Sequence, residues 1–190
     1  PRNGADLIGL MKAAYHDPNP VVIFEHKGLY WSKIKGTETA KTINPSEDYV
    51  IPFGKANVIQ EVAANSDQTS MTIITYGMGV HWALNASKDC NDQVEIVDLR
   101  TLNPLDKETI FASVQKTGRC LVLTEEAVDN SFARSLSGLI QEECFRYLDA
   151  PVMTLGSENL PAIPLNSILE ETMIPSAEKV ERKIEEVLGY

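Results

Sequence analysis

The sequence predicts an α/β fold of three layers, a mostly parallel sheet with helices on both faces. Short apolar runs alternate with longer stretches of helical period over most of the chain. Strands alternating with helices imply a mostly parallel sheet covered on both faces. Residues 94–127, VEIVDLRTLNPLDKETIFASVQKTGRCLVLTEEA, hold one complete strand–loop–helix–strand unit.

The first predicted element is a helix from Asp6 to Tyr15. Leu7, Leu10, Met11, Ala14 and Tyr15 share one apolar face, Asp6 is placed to cap it, and Pro18 ends it. A turn, Asp17 to Pro20, leads to a predicted buried strand, Val21 to Phe24. Residues 26–51 show no sustained period and read as a long interdomain connection, with Tyr30 or Trp31 as a docking aromatic. Ala56 to Glu61 is a short strand, and Met71 to Gly77 a second. A helix runs from Val80 to Lys88, then a strand from Val94 to Arg100. Asp106 caps a helix over Glu108 to Lys116 with Ile110, Phe111 and Val114 on one face. Arg119 to Glu125 is a strand. Ser131 caps a helix from Phe132 to Tyr147 with Leu136, Leu139, Ile140, Cys144 and Tyr147 along its apolar stripe. Ala150 to Gly156 is the last strand. Ser176 caps a final helix that turns Val180, Ile184, Val187 and Leu188 inward, with Gly189 past its end.

The 190 residues suffice for one full domain and part of another, and Pro1 in place of an initiator Met points to a fragment or processed chain. A 43% hydrophobic and 23% charged composition is ordinary for a globular protein. No run reaches membrane-span length, and the start lacks the apolar core of a secretory signal, so no membrane contact is expected. A net charge of −10 argues against nucleic acid as a partner. Cys90, Cys120 and Cys144 are odd in number and widely spaced, which indicates neither zinc nor disulfides and fits a reducing cytosol.

Four features invite a functional reading. TYGMGV (Thr75 to Val80) holds Gly-x-Gly between strand and helix, but Trp82 stands where a dinucleotide fingerprint needs its third glycine. A tight strand-to-helix turn therefore fits better. His16, His26 and His81 lack metal-ligand spacing, and His81 reads as a group that orders local backbone. Glu125 and Glu126 end a strand, where carboxylates can serve as acid or base. Solvated charges at a helix start are the commoner case. Asp17 and Asn19 set two side-chain oxygens beside a helix end with free carbonyls. That suits a hard cation, although the sequence alone fits a plain Asx turn better.

Several segments together resemble the beta subunit of the thiamine-diphosphate-dependent 2-oxo acid dehydrogenases, within their decarboxylating component. They are DPNPVVIFEHKGLYW from Asp17, DYVIPFGKANVIQE from Asp48, TIITYGMGVHWAL from Thr72, VEIVDLRTLNPLD from Val94, KTGRCLVLTEEA from Lys116, QEECFRYLDAPV from Gln141 and MIPSAEKVERKIEEVL from Met173. QEECF and VIQE are most similar to the branched-chain (2-oxoisovalerate) enzymes, with pyruvate and acetoin counterparts as the alternative. A non-catalytic α/β interaction module is the alternative of another class.

The resemblance implies a division of the chain: residues 1–25 end a pyrimidine-binding domain, 26–51 connect, and 52–190 form a transketolase-like carboxyl-terminal domain. It implies thiamine diphosphate and magnesium in the intact enzyme, bound outside this chain, and no catalytic residue within it. It implies a structural potassium ion at the Ala14 carbonyl, Asp17 and Asn19. The implied partners are an alpha part, a second beta copy and the subunit-binding domain of the acyltransferase. Glu185, Glu186 and the Tyr190 carboxylate are its expected contacts, since a basic partner suits an acidic chain. The implied location is the bacterial cytoplasm, or the mitochondrial matrix in a eukaryote. The chain departs from the family wording at Glu125–Ala127, where relatives read His-Glu-Ala, and at Asn130–Phe132, where they read Gly-Gly-Phe. The stretch after Gly156, SENLPAIPLNSILEE, lacks the usual aspartate–proline–proline–tyrosine wording.

Overall fold

The computed structural model describes residues 1–63 and 68–190. Five strands form one sheet in the order β1-β3-β2-β4-β5: β1 Asn57–Gln60, β2 Met71–Thr75, β3 Val94–Asp98, β4 Cys120–Ala127 and β5 Met153–Ser157. β3–β2, β2–β4 and β4–β5 pair in parallel, and β1 adds an antiparallel edge beside β3. Every residue of β2 and β3 is buried, the polar Thr72, Thr75, Glu95 and Asp98 included, as expected of central strands covered on both faces.

Helices cover both faces. On one face α2 (Met78–Ala86) and α6 (Ala177–Leu188) enclose Ile73, Ile96 and Leu121, with Trp82, Val180 and Ile184 among the filling side chains. On the other, α3 (Lys107–Thr117) and α4 (Phe132–Cys144) enclose Ile74, Val97 and Val122, with Ile110, Val114 and Ile140. The three-layer expectation therefore holds, and the caps at Asp106, Ser131 and Ser176 form as predicted. Asp106 accepts from Thr109 N at 3.2 Å, Ser131 from Arg134 N at 3.0 Å, and Ser176 from Lys179 N at 3.3 Å.

Four local expectations are corrected. Helix α1 (Gly4–His16) is capped by Asn3, which accepts from Asp6 N at 2.7 Å; Asp6 itself lies inside the first turn, buried. Val21 to Phe24 is not a buried strand. It is irregular, with Val22 77% and Phe24 84% exposed. The sheet ends at β1 and β5, so this apolar run finds no backbone ladder. In the connection, Leu29 docks into the α2–α6 core, whereas Tyr30 and Trp31 stay exposed. Its two 3-10 turns, Lys27–Leu29 and Glu38–Ala40, each bury one small or aliphatic side chain. Finally, α4 stops at Cys144 and tightens into a 3-10 turn, Phe145–Tyr147, which rotates Tyr147 off the apolar stripe and into solvent.

A further helix, α5 (Ser167–Met173), was not foreseen. Asn166 caps it by accepting from Ile168 N and Leu169 N. Lys179 of α6 closes its other end by donating to the carbonyls of Glu171, Thr172 and Ile174 at 3.1, 2.7 and 2.6 Å.

Candidate functional site

From β2 the chain crosses first to β3 on one side and later to β4 on the other. In an open parallel sheet such a reversal leaves a crevice at the strands' carboxyl ends. Here it is a cleft of about 820 Å³ between the β2 and β4 ends and residues 20–26. Its turn depends on two glycines. Gly77 has φ +56°, and a Cβ on Gly79 would sit 2.0 Å from Thr75 Oγ1. The Gly-x-Gly pattern thus serves the close approach of α2 to β2.

The polar groups around this cleft are engaged with one another. Tyr76 bridges β2 and β4, its hydroxyl 2.8 Å from Thr124 Oγ1 and donating to Glu126 Oε1 at 3.3 Å. Burial pushes the Tyr76 phenol above its ordinary value. Glu126 also accepts from Ala133 N at 3.4 Å, so it braces the start of α4. Glu125 Oε1 lies 3.2 Å from His26 Nε2. The hydrogen bond and charge of Glu125 hold the His26 imidazole above its ordinary value.

A second cluster joins α1 to the end of β3. Arg100 donates to Asp6 Oδ1 at 2.9 Å, and Arg2 lies 3.4 Å from Asp98 Oδ2 and 3.7 Å from Asp6 Oδ2. Arg100 has φ +57°, and its N–H donates to Asp98 Oδ1 at 3.1 Å, so the turn is held by the aspartate it serves. Burial raises the Asp98 carboxyl to about 6 and outweighs the opposing pull of Arg2 and the Arg100 N–H. His81 completes the attachment. Its Nε2 lies 2.8 Å from the Arg2 carbonyl and its Nδ1 3.4 Å from Thr39 Oγ1, and burial lowers its basicity. It orders backbone, in line with the sequence reading.

Asp106 braces as well as caps, since it accepts from Ala56 N at 2.9 Å ahead of β1. Arg100 likewise braces its loop, through Asp6 and Asp98. The partners of these residues were not legible. Arg2 precedes α1 and stands four residues before Asp6, and nothing in the sequence signals Asp98 and Arg100 beside them. His26 carried no signal either, because Glu125 lies 99 residues away.

The other anticipated site residues lie elsewhere. Ala14, Asp17 and Asn19 gather at the end of α1: the Ala14 carbonyl accepts from Asp17 N at 3.3 Å, and Asp17 Oδ1 accepts from Asn19 N and Nδ2 at 2.9 and 3.0 Å. Glu185, Glu186 and Tyr190 lie exposed at the end of α6, with Glu186 paired to Lys183 at 2.6 Å. Among the described residues no cluster of three or more His, Cys, Asp or Glu could hold a metal ion, and no helix is long and apolar enough to cross a membrane. The cleft does not fit a diphosphate. It carries three carboxylates, Glu25, Glu125 and Glu126, and its Arg100 is already paired with Asp6.

The family described as "Transketolase, C-terminal domain" matches residues 60–180. The chain is similar to 2-oxoisovalerate dehydrogenase subunit beta of Bacillus subtilis (strain 168), with 38% identity covering 100% of this chain and 55% of that protein. It is 36% identical to the pyruvate dehydrogenase E1 component subunit beta of Rickettsia conorii, covering 100% and 55%. Against the beta subunit of acetoin:2,6-dichlorophenolindophenol oxidoreductase of Cupriavidus necator the identity is 35%, covering 95% and 50%. The chain therefore spans about half the length of these relatives. Among solved structures, a split-gene transketolase described as an inactive beta4 tetramer superposes with TM-score 0.61 at 22% identity, over 76% of this chain and 45% of that one, a likeness of fold. Doubly wound sheet, strand order and matched residues agree: this chain belongs to the transketolase carboxyl-terminal domain family.

Proposed function

We propose that this chain is the carboxyl-terminal part of the beta half of a 2-oxo acid dehydrogenase decarboxylating component that takes branched-chain 2-oxo acids. The observation that carries this reading is the 38% identity to a 2-oxoisovalerate dehydrogenase beta subunit along the full chain. In this reading residues 1–25 close a pyrimidine-binding domain, 26–51 connect, and 52–190 form the carboxyl-terminal domain. Thiamine diphosphate and magnesium belong to the rest of the intact protein, where the cofactor supplies the electron sink for decarboxylation. The mutual engagement of Tyr76, Glu126, Asp98 and Arg100 supports a bracing role for this chain's polar residues.

The same reading gives the chain assembly roles. An alpha part, a second beta copy and the acyltransferase subunit-binding domain are its partners, and Glu185, Glu186 and the Tyr190 carboxylate meet the last of these. The exposure of all three and the net charge of −10 support it. Deleting Tyr190 should weaken acyltransferase binding in a pull-down, and undiminished binding would remove this surface from the proposal. A potassium ion at the Ala14 carbonyl, Asp17 and Asn19 would compete for two oxygens that now accept from neighbouring N–H groups, the Ala14 carbonyl from Asp17 N and Asp17 Oδ1 from Asn19. The intact protein acts in the bacterial cytoplasm, with neither nucleic acid nor membrane as partner.

The substrate test is acceptor reduction by the intact protein with its alpha part, supplied in turn with 2-oxoisovalerate, pyruvate and acetoin. The highest kcat/KM should fall on 2-oxoisovalerate. Preference for pyruvate or acetoin, to whose enzymes the chain is 36% and 35% identical, would move it to that branch.

A further inference from the structure

His26 and Glu125 face each other across the mouth of the cleft. His26 ends the irregular run 20–26 that forms one wall, and Glu125, near the end of β4, belongs to the other. Nε2 and Oε1 are 3.2 Å apart, with the side chains 27% and 42% exposed. Nδ1 of His26 is buried without a partner, so this ring is tied to the sheet through Nε2. The chain is fixed on either side of the run: α1 is held by the Arg2–Asp98 and Asp6–Arg100 pairs, and Leu29 is buried in the core. Between those anchors Val22 and Phe24 lie open to solvent.

We propose that the His26–Glu125 pair is a proton-operated clasp that closes the 20–26 run over the carboxyl-end cleft. Imidazolium and carboxylate attract; neutral imidazole and carboxylate keep only one hydrogen bond. The surroundings favour the cation. Glu25 adjoins His26, Glu126 and Tyr76 line the same cleft, and Tyr30 lies beyond Glu25. On the positive side stand Arg100, neutralised by Asp6, and Arg2, shared between Asp6 and Asp98. His81 of α2 is held low by burial and adds little positive charge. Glu125 raises His26 above 6.5, through the hydrogen bond first and its charge next, against burial. A raised histidine contributes closure that is complete below about pH 6.5 and fades as the pH climbs through its folded value. The clasp operates whichever 2-oxo acid the intact protein takes.

Hydrogen–deuterium exchange of the full-length protein tests it, read on peptides spanning residues 20–26 and corrected for intrinsic rates. Protection should be about two- to fivefold greater at about pH 5.5 than at about pH 8.5, as a half-exposed ion pair allows. Glu125→Gln should abolish that difference. Glu125→His should reverse it, because two imidazolium rings repel at the lower pH. Equal protection at both pH values in the unaltered protein overturns the proposal, as does a pH response that survives unchanged in both variants. An NMR titration placing unaltered His26 at or below 6.5 overturns it as well, without recourse to a variant.

Discussion

Asp98 is a buried carboxylate whose chemistry the fold changes. Burial lifts its carboxyl from 3.8 to about 6. The folded state thus holds this proton more tightly than the unfolded chain. The contribution is present below about pH 4 and lost as the pH rises through about 6. About two pKa units correspond to ~3 kcal/mol. Urea denaturation at about pH 4 and about pH 7 should therefore show wild type losing up to ~3 kcal/mol more than Asp98→Asn. Equal losses would mean that Arg2 and Arg100 compensate the buried charge. Asp106 gives a simpler expectation. It caps α3 and holds Ala56 N, so Asp106→Ala should cost about 1–2 kcal/mol at neutral pH by the same measurement. A change near zero would contradict the double role.

Among the elements, the turn from β2 into α2 is the most tightly constrained. A methyl group on Gly79 meets Thr75 Oγ1 at 2.0 Å, inside any normal contact. Gly79→Ala should destabilise by about 1–3 kcal/mol, and adding Thr75→Ala should recover much of that. Failure of the second substitution to help would place the strain elsewhere. The same elements show what a sequence discloses. β2, β3 and β4 were legible because apolar β-branched runs leave a chain few other choices, and the caps at Asp106, Ser131 and Ser176 because a hydroxyl or carboxylate before a helical stripe is a local signal. Val21 to Phe24 carries the same signal as β3, yet it forms no strand, since pairing is a property of two segments. Helix α5 was missed for the converse reason. Ile168 and Leu169 are exposed, and Lys179, which closes its end, lies outside the helix it caps. Of the cleft, Gly77, Gly79, Glu125 and Glu126 were visible as residues. His26 as the partner of Glu125 was not, nor were Asp6 and Arg2 as partners of Arg100 and Asp98, because those contacts span many tens of residues.

Across the whole molecule, one sheet carries two cores and a carboxyl-end cleft onto which the amino-terminal helix is fastened by charges. The engaged polar groups and the three carboxylates of the cleft support the proposed reading of this chain as a bracing scaffold. On that account, Glu125→Gln in the intact protein should leave kcat for the 2-oxo acid within about threefold. General acid–base roles are worth about a hundredfold or more. A loss of that size would assign Glu125 to the chemistry. The division of labour itself is tested most directly by calorimetric titration of thiamine diphosphate with magnesium into residues 1–190, with folding verified by circular dichroism. The account predicts no binding heat from this chain alone and saturable binding by the intact assembly. Tight binding to residues 1–190 would contradict it.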